Sequence, residues 1–123
     1  MILVDTSVWI DHLRAGDDGL IALLNSSQVL MHPCVEGELA CGNLRNRSEV
    51  LVLLRDLPRA VVATDDEALF FIEQRSLMGR GIGYIDACLL AATSLTSQDY
   101  LWTRDKRLAA VAHELGLVYE GSE

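Results

Sequence analysis

Apolar positions along the chain fall into two rhythms, short unbroken runs and longer stripes at helical spacing. Ile2 to Val4 is an unbroken run, the pattern of a strand buried on both faces of a parallel sheet. Thr6 and Ser7 can cap a helix whose stripe is Val8, Trp9 and Leu13, with Gly16 as its stop. A short helix over 17–26 carries Leu20, Ile21, Leu23 and Leu24, and a second strand follows at Val29 to Met31. Pro33 suits the first turn of a helix running to about Gly42. Asn46-Arg47-Ser48-Glu49 resembles a capping box opening another helix, to Leu57.

Ala60 to Ala63 predicts a third strand, and Thr64 to Glu67 a capping box for a long amphipathic helix ending near Gly79. After a glycine-broken turn, Tyr84 to Ser97 reads as a helix apolar on nearly all sides, hence central. Tyr100 to Thr103 predicts a fourth strand and Arg104 to Leu115 the last helix, stopped by Gly116. Leu117 to Tyr119 can add a fifth. Strands alternating with helices predict an α/β sandwich, with a mainly parallel sheet of four to five strands flanked by helices. At 123 residues and 50% apolar, the chain is expected to be one domain, 1–123, with a core that needs no disulfide.

No uncharged apolar run approaches membrane-spanning length, and Met-Ile-Leu-Val-Asp is unlike a secretory signal, so a cytoplasmic protein without membrane contact is expected. Cys34, Cys41 and Cys88 are odd in number and without a CxxC pair, and read as buried free thiols. A net charge of −8 argues against general electrostatic binding of nucleic acid. Matching four carboxylates to a bound cation leaves −4, however, and nine of the ten basic residues are arginines, the better phosphate clamp.

Four acids stand where an apolar run meets a turn or helix: Asp5, Glu38, Asp86 and Asp105. Sites in parallel sheets lie at the carboxyl ends of strands, where Asp5 and Asp105 are expected. At about 100° per residue Glu38 and Glu36 point roughly 160° apart. Glu38 shares the arc of Cys34, Val35, Cys41 and Gly42, so Glu38 is expected at the core edge and Glu36 in solvent. Taken singly, Asp5, Asp86 and Asp105 are equally explained as acids at helix starts. Four separate caps have no reason to converge on one sheet edge, whereas a metal site requires it. Asp65 and Asp66 are explained by the Thr64–Glu67 capping box.

His12, His32 and His113 show no ligand spacing, so the site is all oxygen. Such sites suit Mg²⁺ or Mn²⁺ and lead to metal-assisted phosphodiester hydrolysis. Met-Ile-Leu-Val-Asp-Thr-Ser-Val-Trp-Ile, Val-Glu-Gly-Glu-Leu-Ala-Cys-Gly, Ile-Asp-Ala-Cys-Leu-Leu-Ala-Ala and Leu-Trp-Thr-Arg-Asp-Lys-Arg-Leu resemble, in order and spacing, the four acidic motifs of PIN-domain nucleases of the VapC toxin type. The resemblance implies a Mg²⁺-dependent endoribonuclease toxin with a PIN-like fold, usually dimeric, neutralised by a cognate antitoxin. It implies that Asp5 and Asp86 are the main metal ligands. Glu38 and Asp105 would complete the pocket and position water, and Thr103, with Thr6 or Ser7, would supply orienting hydroxyls. Arg45, Arg47, Arg104, Lys106 and Arg107 lie nearest these acids in sequence and are candidate RNA contacts, with solvated helix-end charge the equal alternative.

A receiver-type signalling domain would want paired acids after strand one and a lysine after strand five, but only Asp5 follows strand one and Lys106 follows strand four. A phosphatase of the haloacid-dehalogenase type would want a second Asp where Ser7 stands. A non-catalytic interaction domain whose acids are only caps is the third alternative.

Overall fold

In the computed structural model, which describes residues 1–121, the first apolar run becomes the central strand of the sheet. β1 (Ile2–Val4) is buried throughout and pairs in parallel with β2 (Val29–Leu30) on one side and β3 (Tyr100–Trp102) on the other. The strand order is β2-β1-β3. Between β1 and β2 lie α1 (Thr6–Ala15) and α2 (Asp18–Asn25). Between β2 and β3 lie α3 (Pro33–Ala40), α4 (Arg47–Arg55), α5 (Asp65–Gln74) and α6 (Tyr84–Ser94), and α7 (Lys106–Glu114) follows β3.

The predicted third and fifth strands reduce to single parallel bridges, Met31 with Arg59 and Leu101 with Val118. Among the described residues the sheet is therefore three strands wide rather than the four to five expected. After Arg59, Ala60 is buried, while the next two residues, Val61 and Val62, are about half exposed. With no covering layer to bury a second inward residue, the segment leaves the ladder once Ala60 N–H has bonded to Met31 O at 2.9 Å.

The order β2-β1-β3 means that the chain leaves β1 in one direction and later returns past it in the other. Parallel crossovers are right-handed, so this reversal opens a crevice at the carboxyl end of β1, beside β3. β1, β2 and β3 share one apolar core with Val8, Trp9, Leu20, Leu108 and Val111. α6 runs through it as expected of a central helix, burying Ala87, Leu89, Leu90, Ala91, Ala92 and Thr93. Each Leu or Val so buried contributes about 1.5–3 kcal/mol, which fixes the strand ends on which the acids depend.

Helix starts follow the capping chemistry unevenly. Thr64 and Glu67 form the predicted capping box in both directions. Asn46 does not, because its backbone is left-handed (φ 50°) and its side chain makes no cap bond. Arg47 instead reaches back to the carbonyls of Gly42 and Ala40, the open end of α3. α5 stops at Gln74, short of the expected Gly79, where Ser76 turns left-handed (φ 54°). All three cysteines are free, but Cys34 and Cys88 are half-buried and Cys41 is exposed, which corrects the expectation that all are buried.

Candidate functional site

Asp5 is the residue after β1, and its backbone N–H still bonds to the sheet through Trp102 O at 2.9 Å. It occupies the N-cap position of α1, yet its side chain makes no cap bond. Instead Asp5 Oδ2 accepts from Ser7 Oγ at 2.8 Å and from Thr103 Oγ1 at 2.7 Å. Each hydroxyl also accepts a backbone N–H, Arg104 N on Ser7 at 3.0 Å and Asp105 N on Thr103 at 3.1 Å. A hydroxyl has one proton, so both protons are committed to Asp5 Oδ2. A carboxylate only 7% exposed is thus clamped by one oxygen, and Oδ1 takes no hydrogen bond among the described residues.

Asp86 sits in the first turn of α6, where Oδ2 accepts Gly83 N–H at 3.3 Å. Burial pushes its carboxyl above the ordinary aspartate value, the Gly83 amide opposes this, and the charges of Asp5, Asp105 and Glu38 raise it further. Asp86 therefore shares one electrostatic neighbourhood with all three of the other acids. Asp105 caps α7, with Oδ1 accepting from Arg107 N at 2.9 Å and Leu108 N at 3.1 Å, so the helix-cap explanation holds for that oxygen. Oδ2 is left over.

The two glutamates of α3 invert the expectation from helical projection. Glu38 is the exposed one, turned toward α1 so that Oε1 accepts from Thr6 Oγ1 at 2.5 Å. Glu36 is covered, 13% exposed, between Arg55 at 3.2 Å and Arg59 at 2.7 Å. α4 and the segment after it pack on that side of α3 and bring the arginines. Glu38 is the glutamate that reaches α1, although the fold reverses the exposure expected of the two.

Thr103 touches Asp5 and the backbone of Asp105 and so orients the acids. Ser7, given only as an alternative hydroxyl, is the second clamp on Asp5, and Thr6 holds Glu38. Their spacing after β1, one residue apart from each other, left the choice between them open. Two of the five candidate RNA-contacting cations are engaged elsewhere. Arg47 closes α3, and Arg104 pairs with Asp11 and Asp17 while lying 5.8 Å over the Trp102 ring.

None of the four acids is in an ion pair among the described residues, although Glu36, Asp11, Asp17, Asp99 and Glu114 all are. No three Asp, Glu, His or Cys side chains among those residues stand close enough to hold one ion as they are. Four like charges without a cation repel, and the raised Asp86 value carries that repulsion as a smaller addition to the effect of burial. By donor chemistry the set fits a hard divalent cation, with carboxylate oxygens at one sheet edge and Asp5 Oδ1 left open beside them. Zinc or copper would want nitrogen or sulfur, and His32, though buried, bonds Cys34 N through Nδ1 and is no part of the set.

Among the described residues no helix is long and apolar enough to cross a membrane. Two relatives carry the name Ribonuclease VapC32, from Mycobacterium tuberculosis strains CDC 1551 / Oshkosh and ATCC 25618 / H37Rv. Each is 50% identical over 117 residues, covering 95% of this chain and 94% of the relative. A family model described as PIN domain matches residues 2–114, and with fold, acid order and relatives in agreement the chain belongs to the PIN-domain family.

Proposed function

We propose that this chain is a Mg²⁺-dependent endoribonuclease, with Mn²⁺ an alternative ion, acting in the cytoplasm as the toxin of a toxin–antitoxin pair. The observation that carries the reading is the clamped Asp5. A buried carboxylate held by two hydroxyls on one oxygen, with no cation partner and three further acids nearby, is costly unless it serves a ligand. The half-identical relatives named as ribonucleases support RNA as the substrate.

A divalent ion supplies polarisation of a phosphoryl oxygen and neutralisation of developing charge. Asp5 Oδ1 and Asp86 would hold it. Ser7 and Thr103 fix the rotation of Asp5, so the ligand oxygen is aimed before the ion arrives. Thr6 leaves Glu38 one free oxygen, and Asp105 Oδ2 is likewise free. These two are the acceptors that would orient the attacking water and take its proton as the phosphodiester P–O bond breaks.

A second copy of the chain and a cognate antitoxin complete the reading. Val52 and Leu53 on α4 and Leu69 and Phe70 on α5 are each more than half exposed, an apolar supply that suits protein partners. The decisive experiment is cleavage of cellular RNA by wild type and Asp5→Asn, with Mg²⁺ and with chelator. The expected result is cleavage by metal-loaded wild type alone, with the mutant slower on the order of a thousandfold. Equal cleavage by the mutant would sink the mechanism.

A further inference from the structure

The ten basic side chains divide sharply by what they touch. Arg55 and Arg59 hold Glu36, Arg80 holds Glu114, Arg104 holds Asp11 and Asp17, Arg47 closes α3, and Arg75 lies 5.1 Å over Phe71. Among the described residues the four others, Arg14, Arg45, Lys106 and Arg107, form no ion pair and no side-chain hydrogen bond. Arg14 and Arg45 share a groove with Glu38, and Lys106 and Arg107 follow Asp105 at the start of α7.

Arg14 and Arg45 line a groove of about 640 Å³ between α1 and the α3–α4 connection, and its wall includes Glu38. The groove therefore meets the acid site at Glu38. Its lining mixes Ile10, Leu13 and Leu44 with Asn43 and Asn46, surfaces suited to bases and their edges. On the other side, Lys106 and Arg107 follow Asp105 as the first two residues of α7. Cations at a helix N-terminus oppose the helix dipole and cost stability. Arg107 is moreover laid against Gly81, whose left-handed backbone (φ 81°) and missing Cβ make room for it; a Cβ there would stand 2.9 Å from the guanidinium. A chain of net charge −8 thus keeps its unspent cations where they serve least structurally.

We infer that these four cations form a two-sided phosphate track, on which a single RNA strand crosses the acid site from the Arg14/Arg45 groove to the start of α7. The inference rests on the ribonuclease reading. Anionic backbone matches the unpaired cations on both banks, and the apolar and amide lining of the groove takes the unstacked bases. The acids between the banks face the phosphate to be cut.

Binding of a fluorescein-labelled, randomised single-stranded oligoribonucleotide, measured in chelator from about 50 to 200 mM KCl, tests this. Arg14→Ala/Arg45→Ala should weaken binding roughly tenfold and flatten the salt slope by about 1.4, at about 0.7 per lost single-strand phosphate contact. Arg14→Lys/Arg45→Lys should restore the slope, and Arg75→Ala should match wild type. Lys106→Gln should flatten the slope by about 0.7 while raising the melting temperature. Unchanged affinity and slope in the double alanine variant would overturn the track, as would a loss of affinity that is the same at every salt concentration. Unchanged RNA binding with lost capture of a protein partner would make the groove a protein site and equally overturn it. If wild type cleaves RNA while these variants bind it normally, the track fails and the nuclease stands. If wild type cleaves nothing under any metal, the nuclease reading itself fails.

Discussion

Acids in this protein are of two kinds, and the contrast lies in what the fold supplies to them. Glu36, Asp11 and Asp17 are matched by arginines, and Asp99 by the N-terminal ammonium. Asp5, Glu38, Asp86 and Asp105 receive only hydroxyls and backbone amides. The division is not one of availability. Arg104 stands between Thr103 and Asp105 in sequence, yet its guanidinium turns away across Trp102 to Asp11 and Asp17, whose carboxyl at 17 is held below the ordinary value first by the Leu20 amide and then by Arg104. Hydroxyls orient a carboxylate without cancelling its charge, whereas an arginine would do both. The comparison therefore separates acids matched by a cation within the fold from acids that the fold orients but leaves unmatched.

The largest effect that can break the comparison is on Asp5's clamp. Thr103→Val keeps the shape of the side chain and removes one of two donors to Asp5 Oδ2. RNA cleavage should fall about 10–100-fold, the usual loss when a ligand's supporting hydrogen bond is removed. The fall should lie in kcat rather than KM, because in the proposed mechanism the clamp would orient a ligand oxygen without touching RNA. Thr103→Ser should recover most of it, and stability by thermal melting should change little. If Thr103→Val cleaves like wild type, the hydroxyls are not what aims Asp5.

At the arginine-matched acids the prediction is the reverse, stability without activity. Glu36→Gln leaves Arg55 and Arg59 without a carboxylate and should cost about 1 kcal/mol, since Glu36 is covered but both arginines reach solvent. RNA cleavage should be unchanged. The pH dependence has a definite sign. The Arg59 hydrogen bond foremost holds the Glu36 carboxyl below its ordinary value of 4.5, against the opposing effect of burial. Its stabilisation is therefore complete above that value and is lost as pH falls through the lower, folded one. Wild type and Glu36→Gln should differ in chemical denaturation at neutral pH and converge in acid.

Much of this division was legible in the sequence, and the illegible part has a common cause. Among the described residues the three paired strands and seven helices follow from local pattern, as do the places of Asp5, Asp86 and Asp105 at a strand end or helix start, because strand ends and caps are written in neighbouring residues. Local pattern fails where distant residues decide. Val61 and Val62 have strand propensity but no layer to cover them, so the third strand shrinks to one bridge. Glu36 and Glu38 project correctly on α3, but which side counts as solvent depends on where Arg55 and Arg59 arrive. Asn46 has the spacing of a cap and loses the role because Arg47 closes the preceding helix and leaves Asn46 left-handed. Arg104 finds Asp11 and Asp17 at 93 and 87 positions away, and its backbone N–H meets Ser7 at 97, as a bonded pair of segments rather than as a motif.

The smallest predicted effect is also the sharpest test of why the two kinds of acid differ. Asp86 is raised by burial first and by Asp5, Asp105 and Glu38 after it, so at neutral pH its charge opposes folding. Asp86→Asn removes that charge while keeping an oxygen for Gly83 N–H. In chelator the variant should be more stable than wild type, by less than about 1 kcal/mol once solvent screening is allowed for. Removing a charge would thus gain stability at this edge and lose it at Glu36, in the same protein and the same buffer. On the proposed reading, added Mg²⁺ or Mn²⁺ should then raise the melting temperature of wild type and leave Asp86→Asn where it was. A less stable Asp86→Asn in chelator would mean that these four carboxylates do not repel one another, and the electrostatic case for a shared ion would go with it.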